Sequence, residues 1–354
     1  MKKLSLFFVM IILSIGLVAC GGNNEGVNQE VNQEIETEPT NTDSATETSS
    51  DKEDSITIRL GSHLPPSHSV IAVTEKFKEI VEANSEDRIT IEIHPSGELG
   101  GQSELIQSLQ IGSLEMTIND AGVLSNFAPK VGVLDLPYTF NDYEHVHAVL
   151  DSPVTEKLES ELDAIGIKSI GWVDSAFRDL LLNKEISSIE DVDGLKVRVP
   201  DAPQYLRTVE SWGAAATPIS WGDLYTSLET GVVDGFEGSA ESIYASALHE
   251  VVGYRVPTEH IFTVLSLNIS KIVFEELSSE DQKLIEEAGR EAAIYGRDLA
   301  MERDVEYKEK LAEEGLQLID IDKAAFKEAA MNFVNSYAQE IEVTDYLEEI
   351  RELQ

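Results

Sequence analysis

Residues 195–238 read LKVRVPDAPQYLRTVESWGAAATPISWGDLYTSLETGVVDGFEG, and this run constrains the fold more than any other part of the chain. Residues 195–199 form a β-type run that carries one cation, Arg198. Pro200 stops the strand because it has no N–H for a ladder, and Asp201 can open a turn or cap a helix. Tyr205, Leu206, Val209 and Trp212 then recur at helical spacing up to Gly213. A short strand over 215–217 runs into Pro218. Ser220, with Asp223 three residues on, has the form of a capping box for a second helix. Leu224 and Leu228 make that helix's inner face, Gly231 ends it, and Val232-Val233 enter another strand. Strand, helix, strand, helix, strand predicts an α/β fold with loops gathered at strand ends, where ligands sit. Arg198 lies at such an end. A guanidinium keeps its charge, so a buried Arg198 requires an anion: a protein carboxylate, or the carboxylate of a ligand.

With 354 residues the chain has room for two lobes about a shared hinge. Lys and Arg total 26 against 66 Asp and Glu, a net charge of −40, which argues against nucleic acid as a partner and against an electrostatic grip on anionic lipid. An anionic ligand would have to be drawn in by positive potential local to a cleft. The lone cysteine, Cys20, rules out an intrachain disulfide. Lys2 and Lys3 precede an apolar run over 4–18 that is too short to span a membrane. Leu17-Val18-Ala19-Cys20-Gly21-Gly22 then resembles a bacterial lipobox. The expectation is a signal peptide over 1–19 and a lipid on Cys20 that anchors the protein outside the cytoplasm; the alternative is an ordinary signal peptide with an incidental cysteine. Residues 20–54 are polar and acidic with few large apolar groups, and read as a disordered tether.

Beyond the tether, Ile56-Thr57-Ile58-Arg59-Leu60 alternates as a strand, a helix begins at Ser69, and Ile89-Thr90-Ile91-Glu92-Ile93 is a second strand. Leu105, Ile106 and Leu109 mark a helix, and 114–118 a third strand. Helices are expected around 142–164, a strand over 167–173, and two strands over 251–256 and 262–269. Ser279 to Gln282 reads as a capping box for a helix reaching Gly315, and helices over 323–340 and 344–352 finish the chain.

Gly194-Leu195-Lys196-Val197-Arg198-Val199-Pro200, Gly213-Ala214, Thr217-Pro218, Asp223-Leu224-Tyr225, Thr230-Gly231 and Val233-Asp234-Gly235-Phe236-Glu237 follow in a characteristic order. They resemble the signature of solute-binding proteins of TRAP (tripartite ATP-independent periplasmic) transporters, the dicarboxylate-binding, DctP type. The likeness extends over most of 55–340, through the LGG-Q turn, the QIGSLEM run, the Leu136-Pro137-Tyr138 segment and Phe177-Arg178. It implies a two-lobe periplasmic-binding-protein-like fold with hinge strands and a long helix spanning both lobes. Lobe I is expected over 55–175 and 264–303, and lobe II over 176–263 and 304–354. It further implies a monomeric receptor, without cofactor, that hands a small organic acid to separate permease subunits in the membrane.

Within that resemblance Arg198 is the main clamp on the solute carboxylate and Arg178, twenty residues earlier, the second. Without it, two structural arginines bridged to acidic side chains would be the reading. Glu237 and His260 also match family positions, and a carboxylate and an imidazole beside Arg198 can hold its planar fork in place. Trp221, Tyr138 and Phe177 either line the pocket or fill the core. His63, His68, Asn119 and Asp120 fall at first-lobe strand ends or in the loops after them; they are candidates for hydrogen bonds to ligand hydroxyls or to a second carboxylate, or else ordinary polar surface. Where the family carries an Asn after the Asp-Gly-x-Glu motif, this chain has Gly238, followed by Ser239, which can partly substitute. That change bears on the ligand's pose.

His145 and His147 are two apart on an expected helix and so face different ways, and no HExxH or cysteine pair suggests a metal. The chain carries no GxSxG, no P-loop, and no thiol other than Cys20. The expected function is an extracytoplasmic receptor for a C4-dicarboxylate or a sugar acid such as a uronate. The alternatives are a receptor of an ABC transporter, a ligand sensor, or a secreted carbohydrate-active enzyme.

Overall fold

A computed structural model of the protein describes residues 55–354; the expected signal peptide, the tether and Cys20 lie outside the described residues. In chain order the first elements are β1 (Ile56–Gly61), α1 (Ser69–Asn84), β2 (Ile89–His94), α2 (Gln102–Gln110), β3 (Met116–Asp120) and the short α3 (Ala121–Leu124). A 3-10 segment follows over Pro129–Asp135. Next come α4 (Tyr143–Leu150), α5 (Pro153–Asp163) and the 16-residue β4 (Ile167–Leu182). Then follow β5 (Lys196–Val199), α6 (Pro203–Ser211), β6 (Ala215–Pro218), α7 (Leu224–Glu229), β7 (Gly235–Gly238) and α8 (Ala240–Ala245). The 17-residue β8 (Tyr254–Ser270) leads to α9 (Lys271–Glu276), the 35-residue α10 (Ser279–Glu313), β9 (Gln317–Leu318), α11 (Lys323–Glu340) and α12 (Thr344–Glu352).

One nine-stranded sheet runs in the order β2-β1-β3-β8-β4-β7-β5-β6, with β9 beside β8. β2, β1 and β3 are mutually parallel, as are β7, β5 and β6. The two arrays are joined through β4 and β8, which run antiparallel from Ile167 opposite Ser270 to Leu182 opposite Tyr254. The two long strands therefore belong to both halves, which is the two-lobe architecture with crossing strands. Their register breaks between Asp174 and Phe177 and again between Arg178 and Leu180. Bulges bend a strand and re-aim its side chains, and these two flank Arg178.

Helix α10 opens on Ser278, whose hydroxyl accepts from the Asp281 N–H, and at about 1.5 Å per residue spans roughly 50 Å. It packs on β4, α1 and α8. The helix comes so near β4 that a Cβ on Gly171 would lie 2.8 Å from the Gly289 carbonyl oxygen, and one on Gly289 2.6 Å from that of Ile170. Glycine at both positions is what allows this approach.

Several local expectations change: the strand foreseen over 167–173 continues to Leu182 as β4, and the cap foreseen at Ser279 is Ser278. The two strands foreseen over 251–256 and 262–269 are one strand, β8, because Thr258, Glu259 and His260 form a bulge inside it rather than a loop; Glu259 takes φ 44°. Ser220 does not cap a long helix: its hydroxyl bonds to Asp223 (2.6 Å), and a 3-10 turn over Trp221–Asp223 precedes α7. Asp201 caps nothing, since α6 opens on Ala202 with Pro203 in its first turn, where a missing N–H costs no hydrogen bond.

Candidate ligand-binding cleft

A cleft of about 700 Å³ opens between the two arrays. Arg198 enters it from the end of β5, Asp120 from the end of β3, and Ser175, Arg178 and Thr263 from the bulged middle of β4 and β8. His63, in the loop after β1, and His68, the residue before α1, line it from one side, and Trp221 from the other.

The two arginines are both buried but differently matched. Arg178 donates from Nη2 to Glu237 Oε1 (2.8 Å) and from Nε to Oε2, from Nη1 to the Thr263 hydroxyl (3.1 Å), and from Nη2 again to the Glu237 carbonyl (3.0 Å). Its charge is satisfied by the protein. Burial works against that charge, but the Glu237 carboxylate overrides it and raises the guanidinium pKa. Burial likewise pushes the Glu237 carboxyl up, yet Arg178 and the nearby His260 imidazole hold it down to about 2. His260 Nε2 stands 3.4 Å from Glu237 Oε2, and its Nδ1 pairs with the Thr258 hydroxyl at 2.8 Å. Glu237 and His260 thus brace Arg178 rather than Arg198, a correction to the sequence expectation. The cause is register: Glu237 faces Leu180 across the β4–β7 pair, two residues along the same face from Arg178.

Arg198 has no carboxylate within salt-bridge distance among the described residues. Its Nε donates to the Ile219 carbonyl (2.8 Å), its guanidinium lies 5.3 Å from the Trp221 ring centre, and its Nη1 is buried without a partner. Burial, with Arg178 nearby, lowers its pKa to about 10, still fully cationic at neutral pH. An unpaired buried charge is costly unless something completes it.

Trp221 lines the cleft and also holds the Arg198 guanidinium, with its indole N–H on the Ser246 hydroxyl (3.2 Å). On the opposite wall, Gln102 takes Asp120 at two points: Nε2 donates to Oδ2 (2.9 Å) and Oε1 accepts the Asp120 N–H (2.8 Å). His63 Nε2 lies 3.9 Å from Asp120 Oδ1, and its Nδ1 is buried without a partner. Burial pushes the His63 pKa down to about 4, so the ring is neutral at pH 7. His68 pairs through Nε2 with the Ser242 hydroxyl (3.0 Å). Beside it the Glu241 carboxylate accepts the Ser69 N–H (2.8 Å) and hydroxyl (2.5 Å) at the head of α1.

The remaining expected residues do not line the cleft. Phe177 packs edge-on to Tyr143 and Phe262. Tyr138 sits in a left-handed backbone (φ 56°) with Lys327 over its ring. Asn119 is fully buried and accepts the Thr117 hydroxyl at 2.5 Å. Ser239 donates to Ser242 (2.9 Å) from behind the wall. A Cβ on Gly238 would contact the Phe236 ring at 3.4 Å and Ile243 at 3.9 Å. Gln102, Ser175, Thr263 and Ser242 are liners that sequence reasoning missed. Sequence reasoning also missed a buried polar pair in the core: Tyr205 donates its hydroxyl to Asp135 Oδ2 (2.5 Å), an atom that also accepts the Gly122 N–H (2.8 Å). The signal for Asp135 was an acid inside the apolar run Val133-Leu134-Asp135-Leu136.

Residues 60–340 match the family described as bacterial extracellular solute-binding protein, family 7. The chain belongs to this family. It is therefore an extracytoplasmic solute receptor and not an enzyme. A curated solute-binding protein from Roseobacter denitrificans is 30% identical over 280 residues, covering 79% of this chain and 86% of the relative. Among solved structures, a TRAP periplasmic solute-binding protein from Chromohalobacter salexigens with bound D-glucuronate superposes with a TM-score of 0.80 at 29% identity, over 84% of this chain and all (100%) of the other. A sugar acid binding protein from Advenella mimigardefordensis in complex with galactonate gives a TM-score of 0.82 at 26% identity, over 85% and 99%. Among the described residues no helix is long and apolar enough to cross a membrane.

Proposed function

We propose that this receptor binds a small organic acid, foremost a sugar acid, by placing the ligand carboxylate on Arg198, and that it delivers the solute to permease subunits of a TRAP-type transporter. The observation that carries the reading is the mismatch of the two arginines: Arg178 is saturated by Glu237, whereas Arg198 faces the cleft with Nη1 unpartnered. A carboxylate there restores the charge balance and supplies the missing acceptor, in the paired geometry guanidinium favours. Relatives solved with D-glucuronate and galactonate support the ligand class.

In this reading Trp221 keeps the fork aligned, Arg178 adds positive potential without being the main contact, and Asp120, His63 and His68 meet the rest of the ligand. The two lobes, divided as 55–175 with 264–303 and 176–263 with 304–354, close by bending where β4 and β8 cross. Lipidation of Cys20, with the signal peptide removed and 20–54 as a tether, would hold the receptor at the membrane beside its permease.

A thermal-shift panel of uronates, aldonates, keto acids and C4-dicarboxylates tests this. A ligand at about 100 times its Kd adds about 2.7 kcal/mol and shifts the melting point by several degrees. At least one sugar acid should stabilise and its neutral parent sugar should not; equal shifts with both would defeat the reading.

A further inference from the structure

The charges around the cleft say more than that one carboxylate is bound. Arg198 is the one lining cation, among the described residues, that the protein leaves unmatched. Against it stand Asp120 in the wall and Glu104, Asp201 and Asp223 also in the lining. The two imidazoles that could offset Asp120 do not: burial lowers the pKa of both His63 and His68, so neither brings a proton at neutral pH. Gln102 contributes only a neutral amide to Asp120. Asp120 is 5% exposed, fixed on both sides by Gln102, and close enough to Arg198 to support its charge across the cleft.

We propose that Asp120 is the specificity-determining residue of this cleft: its carboxylate accepts ligand hydroxyls and turns away a second carboxylate. The ligand is then an acid with one carboxylate and a hydroxylated chain or ring, a uronate or an aldonate, while C4-dicarboxylates and aldarates are rejected. An ionised carboxylate is an acceptor only, so a hydroxyl that donates to it satisfies both groups. A second ligand carboxylate offers no proton and meets like charge in a poorly solvated wall, where repulsion is strong. His63 lines the cleft with Nε2 3.9 Å from Asp120 Oδ1, and gives a polyol a further hydrogen-bonding point beside it. This inference rests on the assignment of the first carboxylate to Arg198.

The test is calorimetric titration of the full chain with D-glucuronate, D-galactonate, D-glucarate and L-malate, for the wild type, D120N and R198A. The wild type should bind at least one monocarboxylate a hundredfold or more tighter than glucarate or malate. D120N keeps the side chain's shape and removes its charge, and should narrow that ratio at least tenfold, chiefly by tightening glucarate. If Asp120 merely props Gln102, D120N weakens both ligand classes alike, and an unchanged ratio overturns the inference while leaving Arg198 in place. A wild type that binds malate or glucarate as tightly as glucuronate overturns it without any variant. A wild type that binds none of the four acids, or an R198A that binds them unchanged, removes the Arg198 reading and this inference with it.

Discussion

Arg178 and Glu237 form a two-point ion pair that is sealed from solvent, with Nη2 to Oε1 at 2.8 Å and Nε on Oε2. Arg198, in the same cleft, has only a carbonyl and an aromatic face. Two arginines that look equivalent in the sequence should therefore respond oppositely to truncation.

Arg178→Ala strands Glu237 as a buried, uncompensated anion and should cost about 3–5 kcal/mol of stability. Arg198→Ala removes a charge the protein does not pair and forfeits chiefly one hydrogen bond to Ile219, a loss of no more than about 1.5 kcal/mol. Urea unfolding of both variants without ligand checks this. Equal destabilisation would contradict the asymmetry.

Glu237, held down to about 2 from an ordinary 4.5, links stability to acid. A carboxyl whose folded pKa is depressed contributes stability that is complete above the unfolded value and fades as pH falls through the folded one. The window is therefore about pH 4.5 down to 2. Denaturant midpoints of the wild type should fall more steeply over that range than those of Glu237→Gln, which has no proton to take up there.

Asp135 works in the other direction. Burial pushes its carboxyl up to about 7 from 3.8, against the Tyr205 hydrogen bond that lowers it. A raised carboxyl contributes stability that is complete below the unfolded pKa and is lost as pH rises through the folded one, here between about 3.8 and 7. Asp135→Asn resembles the protonated form and keeps an oxygen for Tyr205 and Gly122. Its melting point should decline less than the wild type's from pH 4 to 7; parallel curves would disprove the assignment.

Glu241 reaches from α8 to cap α1 through the Ser69 N–H and hydroxyl. Glu241→Ala should cost about 1–2 kcal/mol, the loss of a helix cap, read by thermal unfolding.

Much of this fold could be read from local pattern. Residues 323–340 and 344–352 are helices to the residue: apolar spacing marks both, and the Asp322 side chain caps the first. The strand and helix order of 195–238 also holds, since each element is bounded by Pro or Gly. The long strands were not legible as such: β8 continues through Thr258-Glu259-His260 only because β4 supplies ladder partners on both sides of the bulge. The same limit governed the cleft. Arg198 stood out in the sequence as a lone cation in a β-type run, and the fold buries it with Nη1 unpartnered, but which arginine Glu237 serves depends on cross-strand register, which no local signal encodes. Tyr205 looked like helix core and is a hydrogen-bond donor to Asp135 because α6 packs its hydroxyl against a buried acid.

The most direct measurement is calorimetric titration of wild type and Arg198→Ala with D-glucuronate and D-galactonate in low-salt buffer at neutral pH. Truncating one partner of a buried charge pair costs about 2–5 kcal/mol or more, so Kd should rise at least about thirtyfold for whichever acid binds, while the variant keeps a melting point close to the wild type's. An Arg198→Ala chain that is folded and binds the acid with unchanged affinity would contradict the account.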